Sequence, residues 1–272
     1  MIINPAAEPP CDPSFFSMHR ALFILFFQWI CSGLTLSARD FSSVELRAAA
    51  RQIWQNECGG TVEGLVSWNA GEDFASVGIG HFIWYAEGRR GPFAESFPDL
   101  VRLMQREGLQ VPSWLKGPCP WSSRQEFLAQ QKGAQVRQLR DLLQREQSIQ
   151  ARFLWLRMQG ALPKLLAQAR DPKALRARFE GLAESAAGAF CLMDYVNFKG
   201  EGLAAGERYQ GQGWGLLQVL EAMKESSPAE FARAAEAVLR RRVALAPAAR
   251  GEKRWLQGWV NRCRRYAAQV NS

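Results

Sequence analysis

The stretch Glu57-Cys-Gly-Gly-Thr-Val-Glu63-Gly-Leu-Val-Ser-Trp68-Asn69-Ala-Gly-Glu72-Asp73-Phe-Ala-Ser76-Val-Gly-Ile-Gly-His81 concentrates carboxylates, hydroxyls and one of the chain's two histidines. It places a carboxyl at the end of a helix and follows it with a polar hairpin. The negative end of the helix dipole disfavours a charged Glu57, and desolvation by Trp54 acts in the same direction. Both favour the protonated carboxyl, the form a general acid needs. Cleavage of a glycosidic bond requires one such acid, with a polar group across a gap to hold water or support the oxocarbenium ion. Glu57 is therefore the candidate acid. Ser76 is a candidate for holding the water, and Glu72 or Asp73 for the opposing negative charge. The plainer reading of Glu57 is a helix-end acid paired with an arginine, and of Glu72 and Asp73 exposed turn residues. Glu63 is a rival acid.

The elements that must position these groups follow from pattern. Residues 42–57 read as a helix capped by Ser42 or Ser43, with an apolar face, and Gly59-Gly60 end it. Residues 61–85 change to short β-like pieces (LVSW, FASVGI, FIWY) separated by Asn69-Ala70-Gly71 and by Gly78 and Gly80. This is the only sheet region expected. Residues 86–121 are mixed and rich in Pro and Gly. Helical patterns then cover 123–148, 149–169, 172–187, 188–199, 212–224, 228–243 and 252–268. The order predicts an α+β protein with a cleft between a sheet lobe, about 58–85, and a helical lobe.

Residues 21–30, ALFILFFQWI, follow His19-Arg20 and precede CSGLTLSA. A charged segment, an apolar run and a small-residue end make a secretory signal pattern over 1–38. Met18 is an alternative start, and cleavage is expected after Ala38, leaving one domain over 39–272. The apolar run is short for a membrane span, so no stable membrane anchor is expected after leader removal. The expected location is periplasmic or secreted. Four cysteines would then remain, Cys58, Cys119, Cys191 and Cys263, permitting two disulfides in any of three pairings.

Hydrophobic residues make up 47% and charged residues 22%, which excludes a disordered chain and allows a real core. The net charge of +8 suits a polyanionic partner. No basic run is interleaved with aromatics and no zinc-finger spacing appears, so nucleic acid is not expected. Ten Trp against four Tyr allow aromatic groove walls as well as core. The chemistry calls for acid–base groups and a cleft, with no metal or organic cofactor.

These features together resemble the phage-type lysozyme (muramidase) family. Ser76-Val-Gly-Ile-Gly-His81 is similar to that family's Thr-Ile-Gly-x-Gly-His strand. Leu192-Met-Asp-Tyr-Val-Asn197-Phe-Lys-Gly-Glu201-Gly202 looks like its central helix and following turn, and Trp214-Gly-Leu-Leu-Gln-Val-Leu220 like the next helix. The segment from Ala246-Pro247 through Arg250 to Arg262 looks like its closing helical hairpin. The resemblance covers roughly 42–85 and 188–266, leaving 86–187 as an enlarged helical insertion. It implies a mostly helical lysozyme-like fold with a small antiparallel β-sheet lobe, and hydrolysis of β-1,4 amino-sugar linkages in peptidoglycan glycan strands; a monomer is expected. It implies Glu57 as the acid, Ser76 in place of a water-holding Thr, a mainly structural His81, and an Arg250 that pairs with the acid. His81 and Arg250, with Trp68, Asn69, Asn197, Glu201 and Gln212, are also expected along the sugar groove.

The family's second carboxylate falls nearest Asn69, with Glu72 and Asp73 slightly later. Either its role shifts to one of those two or it is absent. Absence points to a lytic transglycosylase or to an inactive glycan-binding protein. Glu201 followed by Gly215-Leu216-Leu217-Gln218 is also similar to a transglycosylase pattern.

Overall fold

The computed structural model describes residues 41–91 and 93–268. The signal pattern, its cleavage point, Cys11 and Cys31 lie outside them.

The first helix, α1 (Ser43–Cys58), begins where the sequence requires. Ser42 accepts from the Glu45 amide while the Glu45 carboxylate accepts from the Ser42 amide, a reciprocal capping box. Gly59 ends it in the left-handed conformation, φ 62°. Then come β1 (Val66–Ser67), β2 (Phe74–Val77) and β3 (Phe82–Tyr85), an antiparallel sheet in the order β1-β2-β3. Val66 pairs with Val77, Ser67 with Ser76, and Phe74 with Tyr85. All four β2 residues are buried, so both faces of the central strand are covered. Trp84 on β3 stacks against Phe97 with ring centres 4.7 Å apart.

The remaining helices are α2 (Phe97–Arg106), α3 (Arg124–Gln130), α4 (Ala134–Arg145), α5 (Gln147–Gln168), α6 (Pro172–Ala183), α7 (Ala186–Lys199), α8 (Leu216–Ala222), α9 (Pro228–Leu245) and α10 (Lys253–Ala268). The fold is α+β. Helix α7 is its hub. It packs on α1, α5, α6, α8, α9 and α10, and residues Gly188 to Tyr195 are all buried, as a helix surrounded on every side demands. Among the described residues no helix is long and apolar enough to cross a membrane.

Three expectations are corrected. Residues 86–121 contain a helix, α2, started by Pro98 in its first turn and burying Phe97, Leu100, Val101, Leu103 and Met104. Residues 123–148 form two helices, because Gly133 in an extended conformation separates them. A second small sheet exists: β4 (Arg208–Tyr209) pairs with β5 (Gln212–Gly213). Its turn residues Gln210 and Gly211 both have positive φ, 48° and 76°, the backbone pairing a two-residue hairpin loop favours.

The cysteines differ from expectation as well. Cys58, Cys119, Cys191 and Cys263 are each buried and free, so neither of the two disulfides their count permits is formed. Burial pushes Cys58, Cys119 and Cys263 up to about 12, and Cys191 well above its ordinary value.

Candidate active site

Glu57 sits in the last turn of α1, its side chain 15% exposed. Three elements distant in sequence converge on it. Arg262 of α10 donates to Glu57 Oε1 through its terminal nitrogen. His81, on the tight turn between β2 and β3, places Nδ1 3.9 Å from Glu57 Oε2. Behind the arginine, α7 supplies Asp194, which is 0% exposed.

Asp194 is fully engaged. It accepts from Arg262 at 2.8 and 2.7 Å, from the Tyr266 hydroxyl at 2.6 Å, and from Asn56 Nδ2 at 3.1 Å. Burial works against the Arg262 charge, but Asp194 and Glu57 outweigh it and hold the guanidinium well above its usual range. Burial and the Asp194 charge together push Tyr266 well above its usual range. This is a paired, hydrogen-bonded buried charge, the form in which such groups are tolerated. Its effect on Glu57 is positional. The carboxylate is held by a guanidinium that is itself clamped.

The turn carrying His81 is locked from behind. Gly78 has φ 79°, and a Cβ there would stand 2.5 Å from Gln150 Oε1 and 2.9 Å from the Phe82 ring. Gln150 of α5 is 0% exposed. Its carbonyl accepts from the Ile79 amide at 2.9 Å, and its amide donates to the Leu143 and Glu146 carbonyls. The Cys58 thiol, at the end of α1, lies against the Gly78 carbonyl at 3.6 Å. The helix end and the turn are therefore held in one packed unit.

The other expected residues occupy different places. Asn69, Glu72 and Asp73 form the turn between β1 and β2, at the end of β2 opposite to His81. At about 3.3 Å per residue, the four residues of β2 put roughly 10–13 Å of strand between the two turns. Asn69 donates to Glu72 Oε2 at 3.0 Å, and Trp68 Nε1 donates to the Glu72 carbonyl at 2.7 Å. Trp68, Glu72 and Asp73 line a cleft of about 360 Å³ with Arg89, Ser122 and Arg124. Glu57 is not among its walls. Ser76 lies mid-strand between the turns and is 3% exposed. Opposite it, the Ser67 hydroxyl is buried with no hydrogen-bond partner among the described residues.

Arg250 is not the partner of Glu57. It is exposed and faces Glu252 at 4.0 Å; Arg262, twelve residues further on and on the adjoining helix, takes the acid. Glu201 is engaged by Lys164 at 2.6 Å, and its carbonyl accepts from the Leu217 amide at 3.0 Å. Gln218 accepts from the Gly215 amide and donates to the Gly202 carbonyl. The Glu201/Gln218 constellation is thus a loop tie, and its resemblance to a catalytic pattern has no counterpart in the contacts. Asn197 is half-buried at the end of α7, and Gln212 is exposed on β5. Glu63 is exposed, in a short helical turn over Glu63–Leu65.

Sequence reasoning passed over Asp194, Arg262, Tyr266 and Gln150 as site residues. Asp194 carried a signal: an acid inside the apolar run Ala189-Phe-Cys-Leu-Met-Asp194-Tyr-Val196 must be paired if it is buried. Among the described residues no cluster of three or more His, Cys, Asp or Glu is arranged to hold a metal ion. Comparison of the chain with protein-family models, with curated proteins and with solved structures found no match.

Proposed function

We propose that this protein is a lysozyme-like glycosidase that cleaves β-1,4 amino-sugar linkages in peptidoglycan glycan strands, with Glu57 as the general acid. The observation that carries the reading is the placement of Glu57. One half-buried carboxyl ends α1, is held by the clamped Arg262, and faces the Gly-Ile-Gly-His turn of a three-stranded antiparallel sheet. The order of acid, sheet and helices agrees with the resemblance drawn from sequence. In the reaction Glu57 gives its proton to the glycosidic oxygen as the bond to the anomeric carbon breaks. Arg262 then stabilises the carboxylate that forms. The Ser76 hydroxyl is the candidate for placing the attacking water, whose proton passes to the Glu57 carboxylate as its oxygen bonds to the anomeric carbon. Net positive charge favours association with an anionic wall polymer.

The position of the second acid favours a variant of this reading. Retaining glycosidases set their carboxyl groups about 5–5.5 Å apart and inverting ones about 6.5–9.5 Å apart. Glu72 and Asp73 lie beyond the far end of β2 from the turn that faces Glu57. A single-acid route, in which the sugar's own hydroxyl closes on the anomeric carbon as in lytic transglycosylases, needs only Glu57. In that route Glu57 returns as base to take the hydroxyl proton. The third reading is a glycan-binding protein without catalysis.

Digestion of purified peptidoglycan by the chain over 39–272 and by Glu57→Gln, with mass analysis of released fragments, tests the proposal. The expected result is release of fragments that falls by about 10²–10⁴-fold in the variant. Reducing-end products assign hydrolysis and anhydro products the single-acid route. Binding without release would leave only the third reading.

A further inference from the structure

Beyond the Tyr85 end of β3 lies a cleft of about 600 Å³, within the size range of ligand sites. Tyr85 pairs with Phe74, and Phe82 with Val77. The cleft is therefore at the end of the sheet opposite to the His81 turn that faces Glu57. Its walls come from two separate segments, the loop between β3 and α2 and the end of the helical turn over Ser113–Lys116. The segments are joined at their base, where the Cys119 amide donates to the Tyr85 carbonyl at 2.9 Å.

The loop is held in place. The Arg89 amide donates to the Ala86 carbonyl at 3.0 Å. The Tyr85 amide donates to Glu95 Oε1 at 2.7 Å, and the Tyr85 hydroxyl to the Phe93 carbonyl at 3.3 Å. A Cβ at Gly91 would stand 2.5 Å from that hydroxyl, so a glycine is what lets the loop close on the ring.

Three exposed cations line the cleft: Arg89 and Arg90 on the loop and Lys116 on the turn. Among the described residues none of the three makes a side-chain hydrogen bond or an ion pair. Surface arginines elsewhere are matched: Arg170, Arg233 and Arg240 each hold a glutamate. Two acids share the walls. Glu95 is engaged by the Tyr85 amide, and Glu87 pairs with none of the three cations. Positive charge is in excess. On the same wall Phe93 is 58% exposed, its ring edge-on to Phe74 at 5.9 Å, and Pro98 and Pro118 add apolar surface. The adjoining cleft shares Arg89 but is walled by Glu72 and Asp73, and its Arg124 is spent on the Trp68 carbonyl at 3.0 Å. The run of unmatched positive charge stops at Arg89.

We propose that this cleft binds a polyol-phosphate polymer, with phosphodiester oxygens on Arg89, Arg90 and Lys116 and an aliphatic linking unit on Phe93. Binding here does not require Glu57. A guanidinium fork matches the two free oxygens of one phosphodiester. That charge lies within the polymer's own backbone, where cations on two segments can meet it together, whereas a carboxylate hangs to one side of its chain. Single-stranded nucleic acid uses successive aromatic rings to stack its bases, and this cleft exposes one ring. Glu72 and Asp73 repel a polyanion and confine it to the basic cleft. Because the cleft and Glu57 stand at opposite ends of the sheet, the polymer can be held while the acid faces a glycan strand.

The test is calorimetric titration of the full chain, in about 0.1 M salt, with poly(glycerol phosphate), and with polyglutamate and a single-stranded oligonucleotide of equal charge. Poly(glycerol phosphate) is expected to bind about tenfold more tightly than either of the others. Arg89→Gln/Arg90→Gln should weaken it by about tenfold, and Lys116→Gln and Phe93→Ser by several-fold each. Arg241→Gln/Arg254→Gln removes the same charge from α9 and α10 and should change affinity by less than about twofold. Glu57→Gln should bind like the unmodified chain. Equal loss in the α9–α10 variant would show diffuse attraction by net charge and overturn the site. Polyglutamate or the oligonucleotide binding as tightly would overturn the ligand class. Loss in Glu57→Gln would move the polymer to the face of the acid, and no binding of poly(glycerol phosphate) would end the proposal; neither bears on whether Glu57 cleaves glycan, which the digestion assay reads separately.

Discussion

Arg262 is the residue on which the site depends, because it joins an acid that must be reachable to an acid that is wholly buried. Removing a buried ion-pair partner costs more than the pair contributes, since the remaining charge loses its compensation. Arg262→Met should therefore destabilise the fold by about 3–5 kcal/mol in urea denaturation. The loss arises at Asp194, which keeps only the Tyr266 hydroxyl and Asn56. Arg262→Lys keeps the charge without the fork that reaches both acids and should recover only part. In Asp194→Leu/Arg262→Met both charges are gone, and stability should stand well above the sum of the two single losses. Additive losses would show that the two residues act independently. That Glu57 pairs with an arginine was legible in the sequence as an alternative; which arginine, and that Asp194 shares it, was not. Periodicity says which face of α10 a residue occupies, not which of several arginines on neighbouring turns will meet an acid 205 positions away.

Elements were more legible than contacts, and their failures have local causes. Helix α1 was readable from both ends because its capping box and its terminal glycine are local signals. The β2–β3 turn was readable because Gly78 and His81 share a tight Gly-x-Gly turn, with positive φ at both. Helix α2 was hidden in a Pro- and Gly-rich stretch, although Pro98 and the 97/100/101/104 spacing mark its start and its buried face. The Gln210-Gly211 turn was hidden because its strands are two residues each, too short to show alternation. What positions the sheet against the helices is Gln150, whose three hydrogen bonds join α5, the end of α4 and the His81 turn. Gln150→Leu leaves the buried Ile79 amide unpaired. It should cost about 2–3 kcal/mol and lower cleavage more than a surface substitution of equal stability cost, because the turn facing Glu57 is released. Thermal denaturation with a parallel digestion assay checks both. Unchanged stability would show that water takes over the amide.

At the scale of the whole molecule, burial decides the chemistry of the thiols. Cys58, Cys119, Cys191 and Cys263 are 7%, 4%, 0% and 0% exposed, and a thiolate is disfavoured at each. Iodoacetamide at pH 8 should label none of the four in the folded chain. In denaturant without reductant it should label all four, read by mass. Fewer than four labelled in denaturant would mean that a disulfide forms after all.

The sequence by itself determined the α+β class, the extents of most helices, the three-stranded antiparallel sheet and the helix-end position of Glu57. These follow from short-range forces: caps, turn backbones and the 3.6- and 2-residue periods of burial. Only the tertiary structure decided that Arg262 rather than Arg250 holds Glu57, and that Asp194 and Tyr266 stand behind it. It alone set Lys199 between Trp259 and Phe198 and joined Gln150 to the His81 turn. Each of those is a meeting of residues from separate elements. Which partners meet is settled by how the whole core packs, a sum over many weak contacts that no local pattern records.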